Sequence, residues 1–239
     1  RAGRLLELSE RLAESGRRGE ALDAAREACQ VLRSLARLDS GTYLPDLAEG
    51  LSVMADRLRE ARRMREGVAV SQETVRLRRR LTRYDYDAHA SGLARALCRL
   101  AVDLSASGEL RDALASAQES VDLYRSLRRD DPFDDETGLA QALVTLACCL
   151  SESGRPSTAF VTTQQALTVR RRLVRADPDV HTRRLAADLA RLAPRLRTVG
   201  YADEALEMAR EAVGLYRRLD GEEIGSCTGD LAGALEVLA

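Results

Sequence analysis

Apolar residues recur at spacings of three and four along almost the whole chain, and they come in paired stripes. In the stretch 97–124, LCRLAVDLSASGELRDALASAQESVDLY, one stripe is Leu97, Leu100, Ala101 and Leu104, a break falls at Gly108, and a second stripe is Ala113, Leu114, Ala117, Val121 and Leu123. A period near 3.6 on both sides of a short polar break predicts two amphipathic helices joined by a tight turn. The pair then repeats. Leu12, Leu58, Leu104, Leu150 and Leu196 stand 46 residues apart, and the turn position follows the same step as Gly16, Arg62, Gly108, Gly154 and Gly200. Self-similarity at such a period describes stacked units, each leaving a face for its neighbour to bury. The expected units are about 1–46, 47–92, 93–138, 139–184 and 185–230, in one array. A terminal half-unit at 231–239, where Leu231, Leu235 and Leu238 restart the first stripe, is placed to cap the open end. The pattern predicts eleven helices and no strands: an all-α solenoid of helix-turn-helix repeats wound as a right-handed superhelix.

Four local departures qualify it. The segment 38–46, LDSGTYLPD, reads as a short loop, with Gly41 and Pro45 as helix stop and restart. Arg62 stands where the other units have glycine, and a side chain at a position needing positive φ costs about 1 kcal/mol or alters the turn. The connector RRDDPFDDETG carries five acidic side chains before a helix start, where they complement the helix dipole. Pro194 lies inside the first helix of the fifth unit and is expected to kink it, at roughly 3 kcal/mol.

Composition agrees with close helix packing: aromatics are 3% of residues, Trp is absent, and Ala and Leu dominate. The formal net charge is −1, which argues against a nucleic-acid module because polyanion binding needs a positive surplus on one face. No apolar run is long enough to span a membrane and no leader pattern opens the chain. Cys29, Cys98, Cys148, Cys149 and Cys227 form an odd set without metal-ligand or secreted-disulfide spacing. Cys98 and Cys148 fall on matching faces of successive first helices, yet all five are expected to be thiols in a cytoplasmic protein. The chain opens at Arg1 and begins and ends inside the repeat, as expected of a piece excised from a larger protein.

Little in the sequence supports catalysis. His89 and His181, the two histidines, are two periods apart, too far to share a metal or a catalytic step, and are expected near helix starts. No Ser stands in a GxSxG elbow and no Cys pairs with a nearby His. No enzyme activity, cofactor or metal site is expected. Arginine runs at 76–80, 125–129 and 170–172 fall near the ends of second helices, and Arg33, Arg37, Arg217 and Arg218 share that place. A solvated face complementing the helix C-terminal dipole explains them better than a polyanion ridge does.

The order of large and small residues within each unit resembles the tetratricopeptide repeat. Its first-helix series corresponds to Leu97, Leu100, Ala101, Leu104 and Gly108, and its small second-helix positions to Ala113, Ala117 and Ser120. Each unit is 12 residues longer than the common 34-residue repeat, and the usual aromatics are mostly Leu and Ala, so the chain looks like a long-repeat member. The resemblance implies that first helices line a concave groove receiving a peptide or helical protein partner. Matched position by position, Glu10, Asp56, Val102, Cys148 and Pro194 face that groove, with Ser52, Cys98, Val144 and Ala190 one turn earlier and Glu49, Arg95 and Gln141 nearer the helix start. The groove would be acidic in its N-terminal part, with Glu14 and Glu60 adding charge, and apolar in its middle. Because Glu10 and Asp56 stand where the chaperone-binding members use neutral amides, a chaperone C-terminus is not expected. The expected function is thus a protein-interaction scaffold, with self-association through open solenoid ends as a further possibility. The alternative is the sensor part of a STAND-type signalling ATPase or transcriptional regulator, although no GxxxxGK[ST] loop is present.

Overall fold

The computed structural model describes residues 1–127 and 132–220, and side chains from 135 onward in the second stretch up to residue 219. The expected half-unit at 231–239, Cys227 and part of the acidic connector lie outside the described residues. Among the described residues ten helices are seen and no strand: α1 (Ala2–Glu14), α2 (Arg18–Leu38), α3 (Ser40–Glu60), α4 (Met64–Tyr84), α5 (Tyr86–Ala106), α6 (Leu110–Ser126), α7 (Pro132–Glu152), α8 (Pro156–Ala176), α9 (Pro178–Thr198) and α10 (Ala202–Asp220). They divide into two compact units, Arg1–Ser116 and Ala117–Ala239. In unit 1 each of α1 to α4 packs on the helix that follows it, and α1 also meets α3. In unit 2 the same holds from α7 to α10, with α7 meeting α9.

The turn inside every hairpin has one geometry, and the repeated leucine builds it. The turn residue adopts positive φ at Gly16 (76°), Arg62 (56°), Gly108 (82°), Gly154 (67°) and Gly200 (100°). Its N–H donates to the carbonyl three residues back, and the next N–H donates to Leu12, Leu58, Leu104, Leu150 or Leu196 at 2.8–3.0 Å. This double closure satisfies carbonyls that a helix end otherwise leaves open. Arg62 keeps the same bonds as the glycines, so the turn is preserved and the backbone strain is accepted.

The segment 38–46 is not a loop. Asp39 is a single extended residue (φ −142°) between α2 and α3, and its carboxylate accepts the N–H of Thr42 at 3.2 Å. Asp85 caps α5 through Ala88 N–H at 3.0 Å and Asp177 caps α9 through Val180 N–H at 3.2 Å. A carboxylate at this position satisfies an orphan N–H and meets the positive end of the dipole. The Thr42 contact holds the Asp39 carboxyl below the usual range. Gly41 and Pro45 therefore lie inside α3. First helices accordingly start at Ser40, Tyr86, Pro132 and Pro178, seven residues ahead of the boundaries expected at 47, 93, 139 and 185. Helix α9 runs on through Pro194 to Thr198.

The stripes read from the sequence form the cores. In unit 1 Leu22, Leu32, Leu44, Leu51, Met54 and Leu58 cluster between α2 and α3. In unit 2 Leu143, Leu167, Leu173, Leu189 and Leu196 are fully buried. Each such side chain contributes about 1.5–3 kcal/mol over its exposed state. Where α6 meets the start of α7, Gly138 lies against the ring of Tyr124, and a Cβ there would sit 2.3 Å from Cε1.

Candidate functional site

In unit 1 the first helices α3 and α5 expose a strip of polar side chains that hold one another. The Asp103 carboxylate is almost fully buried; it accepts from Arg59 Nε at 2.8 Å and from the Ser71 hydroxyl of α4 at 2.6 Å. Arg59 also donates to Asp56 at 2.9 Å, and Asp56 accepts in turn from Arg99 of α5. The chain Arg99, Asp56, Arg59, Asp103, Ser71 thus ties three helices together. It is buried at the Asp103 end and open at the other, where Asp56 and Arg99 are 23% and 37% exposed. Burial opposes the Arg59 charge, but the two carboxylates hold its pKa above the usual value. Two carboxylates offset the cost of burying the Arg59 charge, although its Nη2 is buried without a hydrogen-bond partner.

The residues expected in the groove divide by accessibility. Glu10, Glu49 and Arg95 are exposed, while Asp56, Val102, Gln141 and Cys148 are half-buried. Ser52, Cys98 and Val144 correct the expectation: they are buried at 9%, 7% and 0%. A first helix touches its own second helix, the preceding second helix and, in places, the next first helix, so little of its circumference stays open. Ser52 spends its hydroxyl on the Ala48 carbonyl at 2.9 Å. Two acids of the expected acidic end are also engaged, Asp56 as described and Glu49 by Arg78 at 2.8 Å.

Unit 2 places Gln141 and Cys148 on its first helix α7. Burial pushes the Cys148 thiol up in pKa, against the pull of Arg195 and Arg191 on α9, and burial pushes Cys29 of unit 1 up to about 11. Both thiols stay protonated near neutral pH, which makes them poor nucleophiles. Deeper in unit 2, Arg170 of α8 meets Asp188 of α9 at 2.7 Å, with 2% and 4% of the two side chains exposed. Burial raises the Asp188 carboxyl against the pull of Arg170. His181 sits one turn into α9, as expected of a helix-start residue, and its Nδ1 is buried without a hydrogen-bond partner. Burial lowers its pKa, with Arg184 and Arg170 adding to the effect. Among the described residues no three His, Cys, Asp or Glu side chains are grouped to hold a metal. No described helix is long and apolar enough to cross a membrane.

The second helices carry an arrangement missed in the sequence. Arg33 donates to Glu73 at 2.8 Å and Arg26 to Glu66 at 3.3 Å, both from α2 to α4. Arg171 donates to Glu211 at 2.6 Å from α8 to α10, and Arg125 to Gln165 at 3.0 Å from α6 to α8. Every partner is 40 residues further on, so these arginines bridge second helices as well as facing solvent. The signal was present: arginine recurs at 33, 79, 125, 171 and 217, and an acid or amide at 27, 73, 119, 165 and 211, each at the period of the repeat.

Known proteins share this architecture. Residues 93–132 match the tetratricopeptide repeat family. The chain is similar to BtubC (BKLC) from P. vanneervenii at 19% identity, covering 91% of this chain and 80% of that one, with a TM-score of 0.69. It is similar to the nearly identical TPR-like repeats of the Podosopora anserina putative kinesin light chain at 15% identity, over 90% and 94% of the two chains, with a TM-score of 0.65. A Rap protein complexed with competence and sporulation factor aligns at 11% identity over 99% of this chain and 61% of its own, with a TM-score of 0.59. None of the curated proteins matches the sequence. The family's signature thus falls on the third hairpin, and hairpins of the same build stand before and after it.

Proposed function

We propose that the array is a non-enzymatic protein-interaction scaffold that receives a peptide or helical partner along the exposed first-helix strip of unit 1. The observation that carries this reading is the chain from Arg99 through Asp56 and Arg59 to Asp103. Its outer members are accessible yet already fixed by their inner ones. Side chains ordered before a partner arrives do not pay that ordering on binding, about 0.5–1.5 kcal/mol each. Val102, half-buried on the adjoining helix, supplies apolar contact beside them. An apolar anchor contributes about 1.5–3 kcal/mol and an exposed ion pair about 0–1 kcal/mol, so the apolar contact sets affinity and the charges set orientation. A Rap protein of the same fold was solved in complex with competence and sporulation factor, which supports partner capture as a use to which the fold lends itself.

The test is selection of a displayed library of amphipathic helical peptides on the full chain. Enriched peptides should rebind Val102→Asp at least tenfold more weakly, from burying a charge against an apolar anchor. Asp56→Asn should mainly reduce the salt dependence. Undiminished binding to a Val102→Asp protein of unchanged melting temperature would overturn the assignment.

A further inference from the structure

At four outward positions of the second helix, every hairpin except the fourth carries charge. Counting by the period of 46, α2 presents Asp23, Arg26 and Glu27, and α4 presents Glu73 and Arg76. Helix α6 presents Glu119 and Asp122, and α10 presents Glu207, Arg210 and Glu211. The matching positions of α8 are Val161, Gln164, Gln165 and Thr168, with no charge among them. All four are exposed there, Val161 to 53%. The array thus drops the charges of these four positions in one copy, and a cleft lies at that place in unit 2.

The cleft has a volume of about 490 Å³ and an apolar floor that includes Leu139, Leu143, Phe160 and Val169. Phe160 is held rigid by stacking on Tyr201, with ring centroids 4.4 Å apart. The volume falls within the range of ligand-sized clefts, about 300–1,000 Å³. From Phe160 to Val169 the cleft follows α8 for roughly 13 Å at the rise of a helix. An elongated, open shape suits a chain rather than a compact molecule.

One charge borders it. Arg125 lines the cleft and donates to Gln165. The equivalent bridges, Arg33 to Glu73 and Arg171 to Glu211, end on a carboxylate. At Arg125 the acceptor is a neutral amide, and no carboxylate of the described residues pairs with the guanidinium. The cleft therefore offers apolar contact next to a positive charge that pairs with no carboxylate among the described residues. We propose that this face of α8 is a second docking site, independent of the first-helix strip. Its occupant is a partner's peptide segment carrying one or two large apolar side chains beside a carboxylate. The apolar side chains would fill the floor, the carboxylate would accept from Arg125 beside the Gln165 amide, and Gln164 and Thr168 would bond the peptide backbone.

A displayed library of random heptapeptides, selected on the full chain, tests this. Enriched sequences should place Phe, Leu, Ile or Met within two residues of Asp or Glu. A synthetic copy of an enriched peptide should bind Val161→Asp at least tenfold more weakly, since the substitution puts a charge on the apolar wall. Gln165→Glu restores the charge-balanced bridge found in the other hairpins, so it should fold normally and weaken the same peptide up to about fivefold, the size of an exposed ion pair. Val102→Asp should leave this peptide unaffected. The proposal is overturned if enriched peptides show no acidic preference, if Gln165→Glu binds like the unaltered chain, or if Val102→Asp abolishes binding equally. Octanoate competing with the same sensitivity to both α8 variants would make the cleft a small-molecule site and overturn the peptide assignment.

Discussion

Arg78 near the end of α4 and Arg170 near the end of α8 are two periods apart, yet they meet their carboxylates in different surroundings. Arg78 reaches back to Glu49, a side chain 57% exposed, so water screens one half of the pair. Arg170 reaches forward to Asp188 with both groups almost wholly out of water. Each guanidinium keeps one buried N–H unmatched, at Arg78 Nε and Arg170 Nη1. Tyr124 occupies the same place one period after Arg78 and uses the space left by Gly138 instead of a charge. The repeat thus demands a large side chain here and leaves its chemistry open. What differs is the consequence of failure, because a buried pair is costly to break and a wet one is not.

Three substitutions separate these cases. Asp188→Asn leaves Arg170 as a buried cation with no opposite charge and should lower stability by about 3–5 kcal/mol in urea unfolding. Combining Asp188→Ala with Arg170→Met should recover most of that, since replacing a whole buried pair by apolar groups is often neutral. A double variant as unstable as Asp188→Asn would break the comparison. Gly138→Ala forces the Tyr124 ring out of its seat and should lower stability by roughly 1–3 kcal/mol, the usual range for overpacking. Adding Tyr124→Leu should restore part of it. Glu49→Gln should change stability by no more than about 1 kcal/mol, with a smaller change in high salt. A loss as large as that of Asp188→Asn would show that the exposed pair is not screened.

The leucine and glycine period was legible because both residues serve one backbone structure: the leucine carbonyl accepts the N–H that follows the left-handed residue. Even Arg62 could be placed, since position and not residue type sets the turn. Helix starts were misjudged because Gly41 and Pro45 are strong local breakers, whereas the deciding residue was the aspartate before them. That aspartate recurs at 39, 85, 131 and 177 and was readable from the same period. The candidate site was less legible. Periodicity distinguishes inward from outward on an isolated helix, but Ser52, Cys98 and Val144 are covered by neighbouring helices that one helix's pattern does not describe. Likewise Asp56 finds Arg99 43 residues away, a separation that only packing creates.

Between α2 and α3, α4 and α5, and α8 and α9 the chain allows a single residue, and seven of the ten described helices are 21 residues long. Two such helices, a three-residue turn and that one connector account for the whole period, so a unit built this way has no slack in which to hide a change of length. One inserted residue would turn everything downstream by about 100° about its helix axis, carrying leucines toward water and arginines toward the core. Gene-level growth of such an array must therefore proceed in whole multiples of 46 codons, and its loops cannot serve as the usual nursery for insertions.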